Sequence, residues 1–203
     1  MGSSTSHLLH EALYAQPANW PVAATSSAHC NREPTILRIM PPRAFCADRS
    51  VREAVTNQEL FYFHDHSFSR TTTLMAPGEV PVIAIKERSF HRQYRVLPFK
   101  DATDELFQIS YDYERITAEF RNVVTGYPMR VVLQRLYSWC DRVVLVYLEI
   151  DGVRQPIARM HTPDEDCCSV PDEFVEVAPG VDIVLILLLW QVLEERRRQQ
   201  RSS

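Results

Sequence analysis

The sequence predicts an all-β barrel that encloses a hydrophobic C-terminal α-helix. Three observations lead to this fold class. Ten short β-type segments follow one another between residues 60 and 177, and almost no helical period occurs before residue 180. Residues 182–193 are then apolar on every side. Because a helix that is hydrophobic all round must be surrounded by protein, we expect the sheet to close around it.

Composition and length predict one folded domain. The chain has 203 residues, of which 45% are hydrophobic, enough for a sizeable core. Its formal net charge of −4 argues against a general nucleic-acid binder. Residues 1–33 are rich in Ser, Ala, Thr and Pro, so we expect a mostly disordered leader there, the domain at residues 34–196, and a basic tail at residues 197–203. On this view, deleting residues 1–30 leaves the melting temperature nearly unchanged.

The strands are predicted in chain order from runs of β-prone residues. A first run at residues 35–40 stops at two prolines, and the polar residues 43–58 indicate no clear element. Further strands are predicted at residues 60–64, 71–75, 80–85, 94–97, 106–111, 116–122, 130–136, 142–150, 155–161 and 173–177. Turn residues separate these runs, and Asp151-Gly152 is the strongest hairpin signal among them.

The helix is predicted at residues 182–193, directly after Pro179-Gly180. Asp182 is a suitable N-cap, and three arginines at residues 196–198 suit the C-terminal end of the helix dipole. A membrane span needs about 20 apolar residues, so this segment is predicted not to cross a bilayer. A buried strand is the alternative, but the length and the Glu/Arg continuation favour a helix. We expect it to be the most buried segment, with Leu185, Ile186, Leu188 and Leu189 against strands.

Three segments resemble one known family: residues 81–88 (PVIAIKER), residues 142–161 and residues 177–193. They resemble the LURP-one-related proteins of the tubby C-terminal-like superfamily, and the likeness runs in order over residues 35–195. The resemblance implies a barrel around one central helix. Tubby domains bind phosphoinositides through Lys and Arg, and phospholipid scramblases of the same fold associate with membranes. The resemblance implies no enzymatic activity and no cofactor, and the tubby phosphoinositide motif has no residue-by-residue match here.

The densest basic stretch runs from residue 86 to residue 100. Lys86, Arg88, Arg92, Arg95 and Lys100 oppose only Glu87, which leaves a net charge of +4. Arginine offers phosphate oxygens a planar fork and lysine a point charge. We therefore predict that Lys86, Arg88, Arg92 and Arg95 bind anionic phospholipid. The alternative is a solvated strand whose charges prevent aggregation.

Gly2 is a candidate lipidation site. Gly2 and Ser6 match the M-G-x-x-x-[ST] pattern of N-myristoylation. One acyl chain binds membranes only marginally, so the arginines of residues 196–201 would have to supply a second signal. The alternative is a chance match within a Ser-rich segment.

Metal, thiol and catalytic sites are not predicted. His64 and His66 share one face of a strand, but two ligands do not make a zinc site. The adjacent Cys167 and Cys168 lack a second pair at ligand spacing, and the motifs of hydrolases, nucleotide-binding loops and metalloproteases do not occur. With no secretory signal recognised and no disulfide framework, we expect a cytoplasmic protein, peripheral at the plasma membrane where it binds lipid.

The sequence is compatible with two functions. The first is a non-enzymatic module that binds anionic phospholipid or phosphoinositide at the cytosolic membrane face. The second is a soluble protein-interaction or regulatory scaffold with no lipid ligand.

Overall fold

Twelve strands and one long helix make up the structure, a computed structural model that describes residues 8–42, 48–66, 69–88, 91–134, 143–162 and 172–201. The strands are β1 (Thr35–Ile39), β2 (Arg49–Glu53), β3 (Glu59–His66), β4 (Thr71–Ala76), β5 (Val80–Arg88), β6 (Gln93–Leu97), β7 (Phe107–Tyr111), β8 (Arg115–Arg121), β9 (Pro128–Gln134), β10 (Val143–Ile150), β11 (Val153–His161) and β12 (Glu173–Val177). The helix α1 spans Ile183–Arg201, and a short 3₁₀ helix spans Ser27–His29.

The strands form a closed antiparallel barrel in which each strand pairs with its neighbours in sequence. Closure is made by β1 and β12, whose register places Leu37 opposite Val175. In such a barrel successive turns alternate between the two ends. We call the end where α1 begins, with the turns after β4, β8 and β10, the entry end. The opposite end, where β3, β5 and β7 finish and α1 emerges, is the exit end.

The helix occupies the interior of the barrel, as predicted. Every residue from Ile183 to Leu193 is buried, and the ring centroid of Trp190 lies 5.3 Å from that of Phe63 on β3. The four apolar residues singled out from the sequence are all at most 1% exposed: Leu185, Ile186, Leu188 and Leu189. The barrel is therefore filled by side chains of the helix, and the predicted fold class is confirmed.

Asp182 caps α1 as predicted. Its Oδ1 accepts hydrogen bonds from the backbone N–H groups of Val184 at 3.0 Å and Leu185 at 3.3 Å. These are two of the N–H groups that a helix leaves unpaired in its first turn.

The described part of the leader differs from the disordered segment that the sequence predicts. Val22 and Ala23 are fully buried at the entry end, and Val22 forms a parallel bridge with Val181. Asp182 Oδ2 accepts hydrogen bonds from the N–H of Ala24 at 3.1 Å and of Thr25 at 2.7 Å. Residues 20–31 therefore cover the N-terminus of α1 at the entry end of the barrel. The composition of the leader did not indicate that this segment packs on the barrel. The domain limits at residues 34 and 196 stay predictions.

Two further differences concern the element boundaries. Strand β2 lies within residues 43–58, where the sequence indicated no clear element. The strand pattern is weak there because Val51 is the one buried apolar side chain of β2. The helix extends beyond residue 193 to Arg201, where Arg198 pairs with Glu194 at 3.4 Å. Residues 197–201, predicted as a tail, therefore continue α1, and the buried Arg197 is bound to Glu173 at 2.9 Å.

Candidate functional site

Three of the four predicted lipid-binding residues lie on the outer face of the β5–β6 hairpin. The register places Lys86 directly opposite Arg95, and Arg88 opposite Gln93. Successive side chains of a strand point to opposite faces, so Lys86 and Arg88 point to the same side as Arg95. Ile85, the neighbour of Lys86 in the chain, is buried in the core. The fold thus gathers three cations on one outward surface.

Arg92, the fourth predicted residue, lies in the turn that joins β5 and β6 at the exit end. Its backbone has a φ of +51°, in the left-handed region. The Arg92 Cζ lies 5.1 Å from the ring centroid of Tyr113, which belongs to the next turn at that end. A guanidinium that stacks through its face still presents N–H groups along its edge. Arg92 is therefore oriented by Tyr113 and remains exposed.

Arg95 is held by the loop between β6 and β7. Its Nε donates to Glu105 Oε2 at 2.9 Å, and its Nη2 donates to the carbonyl of Thr103 at 2.6 Å. The pKa of Glu105 is lowered, first by a hydrogen bond from Gln108 and then by that from Arg95. Of the four residues predicted to bind lipid, Arg95 also anchors the β6–β7 loop. The other three are exposed cations: Lys86, Arg88 and Arg92.

The row of outward-facing cross-strand neighbours that contains Lys86 continues round the barrel, and further along this row the charges are paired. Glu119, Arg130, Glu149 and Arg154 are successive cross-strand neighbours on β8 to β11. Arg130 lies 3.4 Å from Glu119 and 3.3 Å from Glu149. Arg154 lies 3.5 Å from Glu149. Cations and anions alternate on this side of the barrel, so their charges cancel locally.

Lys86 and Arg88 are not neutralised in this way. Both side chains are exposed. Among the residues that the structure describes, no carboxylate lies within 4 Å of either charged group. The nearby Glu105 is already bound by Arg95. The β5–β6 hairpin therefore carries a local positive charge on a chain that is negative overall.

Arg70 is a further exposed arginine near this hairpin, although it pairs with Glu87 and the sequence pattern did not single it out. It precedes β4, whose Thr71 lies directly opposite Lys86. Its side chain is 66% exposed, and its Nη1 lies 3.9 Å from Glu87 Oε2. The register of the β4–β5 hairpin would have identified Arg70 as a neighbour of this region. The turn at Pro77-Gly78 determines which residues of the two strands lie opposite each other.

His64 and His66 lie on one outward face of β3, as their spacing predicts. Their rings meet edge to face with centroids 4.6 Å apart. His64 Nδ1 is 3.0 Å from Asp48 Oδ1, and His66 Nε2 is 3.0 Å from Thr73 Oγ1. Burial, then the charges of Lys100 and His64, lower the pKa of His66. In the described ranges no group of three or more His, Cys, Asp or Glu side chains is placed to hold a metal ion.

Three residues considered in the sequence lie outside the described part of the chain: the candidate lipidation site Gly2 and the adjacent thiols Cys167 and Cys168. Cys30 is described and is a free thiol. Burial and then the charge of Asp182 raise its pKa to about 12, so the thiol stays protonated at neutral pH. No described helix combines the length and the apolar character that crossing a bilayer requires.

Comparison with known proteins finds the same fold. The X-ray structure of a protein from Arabidopsis thaliana, AT5G01750, superposes with a TM-score of 0.61 at 18% sequence identity. The match covers 86% of this chain and 98% of the Arabidopsis chain. At this identity the likeness concerns the fold. No family model matches the chain, and no curated protein matches it.

Proposed function

We propose that this protein is a non-enzymatic binding module that holds anionic phospholipid headgroups, phosphoinositides among them, at the cytosolic membrane face. The observation that carries the proposal is the pair of exposed cations Lys86 and Arg88, which no carboxylate of the described residues neutralises. Arg95 lies directly opposite Lys86, and Arg92 lies in the adjoining turn. We include membership of the LURP-one-related family in the proposal, since the sequence resemblance and the barrel fold agree with it.

The chemistry of the surface suits phosphate. Lys86 offers an ammonium point charge, and Arg88 and Arg92 offer planar groups that bind phosphate oxygens through two N–H groups at once. Each basic residue near an anionic membrane surface contributes about 1 kcal/mol to binding. Three or four such residues give modest affinity, so acylation of Gly2 is the second anchor that we propose.

A protein-interaction scaffold is the second candidate, and exposed apolar residues at the entry end favour it. The rings of Trp20 and Tyr127 lie 4.8 Å apart and are 36% and 56% exposed. Val123 and Val124, in the same turn as Tyr127, are 54% and 47% exposed. Tyrosine and tryptophan are enriched at the centres of protein interfaces, so this surface suits a protein partner.

Vesicle sedimentation of the full-length protein tests the first proposal. We expect the protein to pellet with phosphatidylcholine vesicles that contain phosphatidylserine or phosphatidylinositol bisphosphate, and not with phosphatidylcholine alone. Binding should weaken as salt rises, because screening shortens the reach of the charges. The double variant Lys86→Gln/Arg88→Gln removes two basic residues, which lowers the partition coefficient about 30-fold.

The matched control is Arg32→Gln/Arg121→Gln, which makes the same change of charge with two exposed arginines at the entry end. It should bind as the wild type does. Equal loss in both double variants would show general attraction to the membrane and would contradict this site. If the wild type does not pellet with anionic vesicles at low salt, lipid binding by the unmodified protein is wrong, and the scaffold becomes the better proposal.

A further inference from the structure

A cavity at the entry end lies next to the exposed aromatic pair of Trp20 and Tyr127. It has a volume of about 430 Å³ and lies between the leader, the turn after β8 and the segment that joins β12 to α1. Four apolar residues contribute to its walls: Ala18, Pro21, Val124 and Pro179. Its volume falls within the range of ligand sites, about 300–1,000 Å³.

Hydrogen bonds between distant parts of the chain fix the walls of this cavity. The backbone N–H of Gln16 donates to the carbonyl of Pro179 at 2.8 Å. The side chain of Asn122 is buried and joins two further wall residues. Its amide group donates to the carbonyl of Pro21, and its Oδ1 accepts from the N–H of Val124 at 2.9 Å. The cavity is therefore formed before a ligand arrives, which lowers the cost of binding.

The charge of the cavity comes from Arg32. Among the described residues that line the cavity, this exposed arginine is the one charged side chain. No carboxylate of the described residues lies within 4 Å of its guanidinium group, and that includes its chain neighbour Glu33. Asp182 does not line the cavity, and backbone N–H groups of the leader and of α1 bind its carboxylate. The cavity therefore suits a ligand with a negative charge.

The exposed apolar surface extends beyond the cavity. Val123 and Tyr127 are 54% and 56% exposed, and the ring of Tyr127 lies 4.8 Å from that of Trp20. A small molecule inside the cavity would leave these side chains in water. A peptide segment of a few residues reaches them from the cavity, since an extended chain advances about 3.3 Å per residue. A flat bilayer surface does not fill a concave cavity, so the shape favours a peptide over a membrane.

We propose that this cavity binds an extended segment of a partner protein in which a carboxylate side chain is flanked by apolar side chains. One apolar side chain enters the cavity between Pro21 and Val124, and the carboxylate accepts from the guanidinium of Arg32. The other apolar side chain covers Trp20 and Tyr127. This proposal rests on the protein-interaction candidate of the proposed function and is independent of lipid binding.

Peptide titration of the full-length protein, followed by NMR, tests this proposal. The probe is the capped peptide Ala-Leu-Asp-Leu-Ala, and two control peptides carry Asn or Lys in place of Asp. We expect the Asp peptide to cause saturable shifts of the amide signals of Val124 and Gly180 and of the indole N–H signal of Trp20. The Asn peptide should bind about fivefold more weakly, because it forms no ion pair with Arg32. The Lys peptide should not saturate.

Substitution of Arg32 makes the test specific. Arg32→Gln should weaken binding of the Asp peptide about fivefold and leave binding of the Asn peptide unchanged, because the Asn peptide has no charge to lose a partner. Arg201→Gln is the matched control, since it removes the charge of an exposed arginine at the exit end. It should bind both peptides as the wild type does.

An aspartate introduced into the cavity wall is a second test. Val124 is 47% exposed, so Val124→Asp should keep the fold. Its carboxylate repels the Asp peptide and competes for Arg32, and the affinity for this peptide should fall about tenfold. Val55→Asp is the control, because Val55 is an exposed valine in another turn at the entry end. Its affinity should equal that of the wild type.

The proposal is overturned if the Asp peptide does not saturate, if the Asn or Lys peptide binds as tightly, or if Arg32→Gln binds the Asp peptide as the wild type does. If no peptide saturates and Arg32→Gln instead reduces pelleting with anionic vesicles, the entry end contacts a membrane and the proposal is wrong. Vesicle binding through Lys86 and Arg88 is measured separately, so failure here leaves that proposal standing.

Discussion

Glu176 shows how one side chain can make the stability of the barrel depend on pH. It lies on the outer side of β12, where its Oε1 is 3.0 Å from His161 Nε2 and its Oε2 accepts from Arg159. The hydrogen bond from His161 and then that from Arg159 lower its pKa to about 2, against the opposing effect of burial. Arg159 is 8% exposed and also donates to the backbone carbonyl of Leu8. Glu176 therefore helps to position Arg159, which binds the leader.

This arrangement predicts acid sensitivity with a defined sign. A carboxylate whose folded pKa lies below its unfolded value contributes stability above the unfolded value and loses it as the pH falls. For Glu176 the loss falls between pH 4.5 and about 2 and amounts to at most about 3 kcal/mol. Urea unfolding across this range should show Glu176→Gln to be less stable than the wild type near neutral pH and closer to it in acid. Glu119→Gln, which removes an exposed carboxylate, is the control and should follow the wild-type pH dependence.

The segment at residues 20–31 behaves as an element of the barrel, although it is neither strand nor long helix. Asp182 is fully buried and joins the first turn of α1 to this segment through both carboxylate oxygens. Thr25 Oγ1 also donates to Asp182 Oδ2 at 2.8 Å. Gly180 lies so close to the leader that a Cβ there would clash with the Gln16 carbonyl oxygen. The start of the helix and the leader are thus packed as one unit.

We therefore expect deletion of residues 1–30 to destabilise the protein by more than about 3 kcal/mol, contrary to the expectation from composition. The deletion exposes the apolar entry end and leaves the buried Asp182 carboxylate without its donors. Asp182→Ala should lose a similar amount, because it leaves several buried N–H groups unpaired. Urea midpoints measure both. Ser26→Ala removes an exposed cap and should cost less than about 1 kcal/mol. A deletion variant as stable as the wild type would contradict the packing of the leader.

At the scale of the whole molecule, the barrel and its helix depend on each other. The inward residues of the strands and the apolar part of α1 belong to one hydrophobic cluster. Strands alone would close around an empty space, and the eleven buried residues from Ile183 to Leu193 would have no apolar neighbours without the strands. The fold is consequently expected to form in one cooperative step.

Removal of residues 180–203 tests this dependence. We expect the truncated chain to be insoluble, because the lost burial exceeds the 5–15 kcal/mol by which domains are typically stable. Calorimetry or circular dichroism of any soluble material should show no cooperative melting. A folded, monomeric product would contradict the central position of the helix and would suit a peripheral anchor instead. Leu188→Ala keeps the helix and should fold with a loss of about 2–5 kcal/mol, which separates a cavity from a missing core.

The regular elements could be predicted because their signals are local. Alternation along β3 to β12 and the all-round apolar character of residues 183–193 follow from side-chain period alone. Strand β2 was missed because Arg49, which is 4% exposed, occupies an inward position that periodicity assigns to an apolar residue. Its Nη1 donates to Gln191 Oε1 at 3.3 Å, and its Cζ lies 5.4 Å from the Trp190 ring. A buried arginine of this kind is intelligible only once the helix is inside the barrel.

The sequence by itself determined the fold class, the cap at Asp182 and the presence of a basic stretch at residues 86–100, since each depends on neighbours along the chain. Only the tertiary structure decided which charges are neutralised. Arg130 and Arg154 face carboxylates across strands, whereas the described cross-strand partners of Lys86 and Arg88 are not carboxylates. It also decided that the leader closes the entry end, where its backbone N–H groups donate to Asp182. These are contacts between residues far apart in sequence, and the strand register and the closure of the barrel set them.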